Sequence, residues 1–154
     1  MSYVAGFGTL SSTYFTIRKP GDSYTCSEGR ASLNVVNDER TNLAFVQIDG
    51  GYFADGDSCD FSVSQAVENP TGFLLELKGR HILHGIDQLR TTLARLKTAG
   101  VKVRYRKAII VSSGAGKIPG GDWMKKQKKF HSQTGVLLSK LGSNTSIAFS
   151  YVVA

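Results

Sequence analysis

Cysteine and proline are both scarce in this chain of 154 residues, with two of the first and three of the second. Cys26 and Cys59 stand in no metal-ligand spacing with any histidine. A chain of this length buries roughly two thirds of the surface that its unfolded form exposes, so it needs no disulfide or structural zinc to hold it. Free thiols are therefore expected, one of them buried, with a single disulfide as the alternative. No proline-rich linker, internal repeat or low-complexity tract marks a boundary, and residues 1–154 are expected to form one domain. No apolar run approaches the roughly 20 residues of a membrane helix. The stretch from Met1 to Gly8 lacks a basic flank followed by an apolar segment, which makes a cytoplasmic location the expectation.

Acidic side chains are also in short supply: 12 Asp and Glu face 19 Lys and Arg, a formal charge of +7. That surplus favours a polyanionic partner, most simply nucleic acid. Lys125, Lys128 and Lys129, with Lys126 beside them, crowd the start of a predicted helix. Lysines there oppose the helix dipole, so either phosphate contacts or a merely solvated face explains them. Arg104, Arg106 and Lys107 on the preceding strand, with Arg80, extend the basic track. Such contacts would position a nucleic-acid backbone without reading its sequence.

Periodicity supplies a set of elements. A short helix is expected to open at 27–33, and 43–48 reads as a strand followed by the turn residues Asp49-Gly50-Gly51 and Asp55-Gly56-Asp57. In 59–63, alternation puts Cys59, Phe61 and Val63 on one face and Asp60 and Ser62 on the other. After the turn Asn69-Pro70-Thr71-Gly72, the strand 73–78 separates Phe73, Leu75 and Leu77 from Leu74, Glu76 and Lys78. Ile86, Leu89, Leu93 and Leu96 give 82–97 the apolar stripe of an amphipathic helix, opposite His84, Gln88, Thr91 and Arg95. Gly100 ends that helix, and a strand over 101–112 is apolar on both faces in its second half, as a covered strand should be. Asp122 is placed to cap a helix running to about residue 141, with Trp123, Phe130, Leu137 and Leu141 on its core face. A last strand is expected over 146–152.

Two charged groups on one face of a largely apolar strand invite a chemical reading. If 59–63 and 73–78 pair as a hairpin, Asp60 and Glu76 converge in an oxygen-rich site suited to Mg²⁺ or Mn²⁺, and a cation would relieve their repulsion. Lys78 lies ~6.6 Å further along the same face, where its ammonium can touch a scissile phosphate or an attacking water. A lone Glu-x-Lys usually just faces water. The second carboxylate and the helix with a polar stripe that follows at once make this combination much less common than its parts.

Cys59-Asp60-Phe61, a turn, Phe73-Leu74-Leu75-Glu76-Leu77-Lys78-Gly79, and then Gln88-Leu89 on a helix resemble the core of the PD-(D/E)xK nuclease superfamily over roughly residues 43–111. The resemblance implies an α/β fold with a restriction-endonuclease-like αβββαβ core, a mixed central sheet flanked by helices. It implies Asp60 and Glu76 as Mg²⁺ or Mn²⁺ ligands with the Leu77 backbone carbonyl, Lys78 as the catalytic lysine, and Gln88 as the glutamine that some members set beside the site. Cys59 stands where the family name has proline. A further glutamate on a first helix has Glu28 or Glu39 as its candidates.

The implied activity is metal-dependent phosphodiester hydrolysis, with DNA favoured as substrate and a homodimer as one route to specificity. Two other readings stand beside it. One is a nucleic-acid-binding module that does not cleave, or a subunit of a larger nuclease complex. The other is a basic interaction protein whose Glu76-Leu77-Lys78 is coincidental. His81 and His84 are read as structural or surface residues, since no third ligand accompanies them. The glycine-rich segment 114–121 lacks the lysine and hydroxyl of a phosphate-binding loop.

Overall fold

The computed structural model describes residues 1–78, 81–113 and 120–154. The chain opens with the antiparallel strands β1 (Ser2–Val4) and β2 (Gly8–Leu10), a single 3-10 turn (Ser12–Tyr14) and β3 (Phe15–Arg18). A hairpin follows, β4 (Ser23–Glu28) and β5 (Ala31–Val36). The centre of the chain runs β6 (Leu43–Gln47), β7 (Phe61–Gln65), β8 (Thr71–Lys78), α1 (Ile82–Thr98) and β9 (Arg104–Ser112). It closes with α2 (Gly120–Thr134), β10 (Leu137–Gly142), β11 (Thr145–Ala148) and the short α3 (Phe149–Val153).

Beside the two-stranded β1–β2 pair, two larger sheets organise the remaining strands into a mixed α/β structure. The larger has the order β10-β9-β8-β7-β6-β3, and the smaller β11-β5-β4. β8, β9 and β10 are parallel neighbours, joined by helical crossovers, whereas β3, β6, β7 and β8 alternate in direction. α1 and α2 cover one face: Ile86, Leu89, Leu96, Trp123 and Phe130 pack on Ala44, Val46, Leu74, Ala108 and Ile110. The small sheet and α3 cover the other, where Leu33, Val35, Phe149 and Val152 meet Phe45, Val63, Phe73, Leu75, Ile109 and Val111. β8 and the second half of β9 are thus buried on both faces, which is why their sequences read as nearly continuous apolar runs. Among the described residues, no helix is long and apolar enough to cross a membrane.

Five sequence expectations give way here. Residues 27–33 form no helix; they belong to the β4–β5 hairpin, because the alternate burial of Ala31, Leu33 and Val35 is a strand period. The late helix stops at Thr134, not near 141. Gly135 adopts the left-handed conformation (φ 74°) with its N–H on His131 O at 2.8 Å, and Leu137 and Leu141 fall on β10 beside β9. Asp122 sits inside the first turn of that helix. The last strand ends at Ala148, after which Phe149 and Val152, three residues apart, turn a helical face into the core. Cys59 does not share a face with Phe61 and Val63, because β7 starts only at Phe61; Cys59 packs under α1 and those two on the opposite side. Both cysteines are free and buried, and burial pushes the Cys26 thiol up to about 12 and Cys59 well above its ordinary value.

Candidate active site

The parallel strands β8 and β9 end side by side at Lys78 and Ser112, and α1 starts just beyond that end. Asp60 arrives there from the segment that leads into β7. Its N–H donates to Leu75 O at 3.1 Å and its carbonyl accepts from Ile48 N at 2.9 Å, so the backbone is tied to both β6 and β8. The carboxylate Oδ2 accepts the Leu77 N–H at 2.7 Å, a charge-assisted bond that holds it against β8. The Leu75 carbonyl faces β7, and by the two-residue period of a strand the Leu77 carbonyl faces the same way, beside Asp60.

Glu76 projects from β8 toward α1 and is 2% exposed. A helix side chain at the crossing point would crowd it: a Cβ on Gly85 would lie 3.3 Å from Glu76 Cγ and 3.2 Å from Lys78 Cγ. Glycine there lets α1 settle on the charged pair. Burial, a hydrogen bond with the Asp60 carboxyl and the charges of Asp60 and Asp49 push the Glu76 carboxyl up to about 10, with Lys78 pulling the other way. Without a cation, then, the Glu76 carboxyl keeps its proton at neutral pH. Glu76 Oε2 is buried and meets no hydrogen-bond partner among the described residues.

Gln88, one turn further along α1, donates through Nε2 to Ser58 O at 3.4 Å, which is at the long end for such a bond. Its Oε1 and the Ser58 hydroxyl are likewise buried without a partner. Thr92 does the firmer work: its hydroxyl accepts the Cys59 N–H at 2.7 Å and donates to Gln88 O at 2.6 Å. Arg95 secures the same loop from its other end, donating to Asp55 O at 2.8 Å and Asp57 O at 3.2 Å while lying 4.0 Å over the Phe53 ring.

Asp60, Glu76 and Lys78 therefore share one end of the sheet, with Gln88 against the segment that delivers Asp60. Other candidates lie elsewhere. Glu28 is exposed near the tip of the β4–β5 hairpin, and Glu39 accepts from Gln65 Nε2 at 3.0 Å, at the far end of β7 from Asp60; neither is on a helix. Arg104 starts β9, six residues before the Ile110 that pairs with Glu76, roughly 20 Å away along the strand. Lys125, Lys128 and Lys129 are exposed along the middle of α2. Arg80 lies outside the described residues, as do residues 114–119 of the glycine-rich loop. His81 and His84 are exposed at the start of α1.

Sequence reasoning passed over Asp49, Ser58, Gly85 and Thr92. Asp49 looked like turn chemistry, because nothing local to residues 43–51 tells which strand lies beside them. Thr92 sits next to the Thr91 of the polar stripe, and only the depth of the helix in the sheet separates them. The chain matches no protein-family model, no curated protein and no solved structure.

Proposed function

We propose that this protein is a Mg²⁺- or Mn²⁺-dependent nuclease of the PD-(D/E)xK type, most simply a DNA endonuclease, with β6, β7, β8, α1 and β9 as its restriction-endonuclease-like core. The observation that carries the reading is the meeting of Asp60 and Glu76, from neighbouring strands, with Lys78 two residues along the α1-facing side of β8. The departure from the family pattern is the β4–β5 hairpin, which stands where a helix would precede β6.

The residues fit a hard divalent cation. Two carboxylates and a backbone carbonyl are oxygen donors of the kind such ions take, and the buried Oε2 of Glu76 meets no partner among the described residues. Among the described residues no three His, Cys, Asp or Glu side chains form a complete cage, which suits an ion that keeps several of its waters. Asp60, Glu76 and the Leu77 carbonyl would hold the ion, which supplies counter-charge to the phosphate and acidifies the attacking water.

The remaining chemistry belongs to the chain. Cation binding requires the Glu76 carboxyl to give up its proton, so occupancy rises with pH. The Lys78 ammonium stabilises the negative charge that develops on the phosphate oxygens. Gly85 keeps Glu76 and Lys78 in place beneath α1, and exposed Lys125, Lys128 and Lys129 would guide a phosphate backbone. Sequence-specific cutting by a chain of this size would call for a homodimer.

The test is cleavage of supercoiled plasmid, linear duplex and single-stranded DNA by wild type and Lys78→Ala, with Mg²⁺, Mn²⁺ or EDTA. Nicking that needs metal and is lost in the variant is the expected result. Tight, salt-sensitive binding with no cutting would replace the nuclease by a binding module.

A further inference from the structure

Three neighbouring strands each bring a carboxylate to the same end of the large sheet. Glu76 lies at the end of β8 and Asp60 at the start of β7; Asp49 follows the end of β6. Backbone hydrogen bonds fix the third relative to the second: Asp49 N–H donates to Cys59 O at 3.1 Å, beside the Ile48 N–H bond to Asp60 O. The turn after Asp49 is rigid. Gly50 N–H reaches Phe53 O at 3.0 Å, Tyr52 N–H reaches Gln47 O at 2.9 Å and Phe53 N–H reaches Ile48 O at 3.0 Å. Gly50 supplies the positive φ (70°) that the turn requires.

The Asp49 carboxylate contributes none of these bonds, and Gln47 Nε2 contacts only its backbone carbonyl, at 3.1 Å. The turn thus has no need of an acidic side chain. The side chain is exposed at the end of the sheet where Glu76, itself 2% exposed, carries an Oε2 with no hydrogen-bond partner among the described residues.

We infer that Asp49 is a third carboxylate of the cation site, accepting a hydrogen bond from a water on the divalent cation held by Asp60 and Glu76. The inference rests on the nuclease reading for the cation itself. Asp49 does not complete a cage of three acidic side chains, and an ion that keeps several waters offers an outer carboxylate those waters as donors. Outer partners of this kind change metal affinity by about 10- to 100-fold.

Calorimetric titration with Mn²⁺ at fixed pH, comparing wild type, Asp49→Asn, Asp57→Asn and Glu76→Gln, tests the assignment. Asp57 is an exposed acid of the same loop and controls for simple loss of charge. The expected pattern is about tenfold weaker binding for Asp49→Asn, wild-type binding for Asp57→Asn and none for Glu76→Gln. Equal affinities in wild type and Asp49→Asn, or equal weakening in Asp49→Asn and Asp57→Asn, would overturn the role of Asp49 while leaving the Asp60–Glu76 site intact. Undiminished binding by Glu76→Gln, or no Mn²⁺ binding by wild type, would remove the cation site and Asp49's role with it.

Discussion

A carboxyl group that is 2% exposed and hydrogen-bonded to a second carboxyl group binds its proton more tightly in the folded than in the unfolded chain. For Glu76 the ordinary value is 4.5 and the folded value about 10. Between those pH values the native state holds more protons than the unfolded one, so stability falls as pH rises, by at most about 1.4 kcal/mol per unit from this group. In EDTA, the melting temperature should decline steadily above pH 5, and Glu76→Gln should flatten the decline. Mn²⁺ should restore stability most strongly at alkaline pH, where the carboxylates are ready to bind it. A melting temperature in EDTA that is level from pH 5 to 9 would mean that Glu76 ionises freely. The pairing of Asp60, Glu76 and Lys78 was legible in the sequence because a two-residue period puts charges on one strand face. Asp49 was not, since nothing local tells which strand lies beside which.

At the level of elements, the site depends on how α1 grips the segment leading into β7. Thr92 is fully buried and is the acceptor for the Cys59 N–H. Thr92→Val keeps the shape and removes that acceptor, leaving a buried donor unpaired at a cost of about 1–3 kcal/mol. Thermal or urea unfolding should show that loss, and cleavage should fall further than stability alone explains, because Asp60 is the next residue. Strands β6, β8 and β9 and helix α1 could be read from periodicity, as each combines a long pattern with a clear stop. The hairpin at 23–36 and the end of α2 could not. Gly29-Arg30 is a weak turn signal, and Leu137 and Leu141 continue a helical spacing that Gly135 interrupts.

For the whole molecule, the charge of +7 favours a polyanionic partner. Helix α2 leads from β9 into the parallel strand β10, so it starts at the end of the sheet that bears Lys78 and runs back along it; Lys125 lies in its second turn, Lys128 and Lys129 just past its midpoint, and Arg104 at the other end of the sheet. Changing the three lysines to glutamine should weaken duplex binding across sequences and reduce the slope of log affinity against log salt by about 2 to 3, while Arg104→Gln should leave the slope nearly unchanged. Fluorescence anisotropy over a salt series reads both. The sequence showed the basic residues but not this division, because strand direction decides it.

The small sheet sets a schedule. β11 completes it beside β5, and the Asn34 side chain reaches Ser146 across 112 residues of chain. On a ribosome adding about 5–20 residues per second, β5 waits on the order of ten seconds for that neighbour. Residues 49–92, which hold every candidate of the cation site, are all synthesised during the wait. The end of the sheet that bears Asp60 and Glu76 is therefore spelled out early, but the layer beneath it, with Leu33, Val35 and Phe149, closes only when the last strand and helix emerge. A nascent chain of this protein carries its chemistry before it carries the floor that holds that chemistry in register.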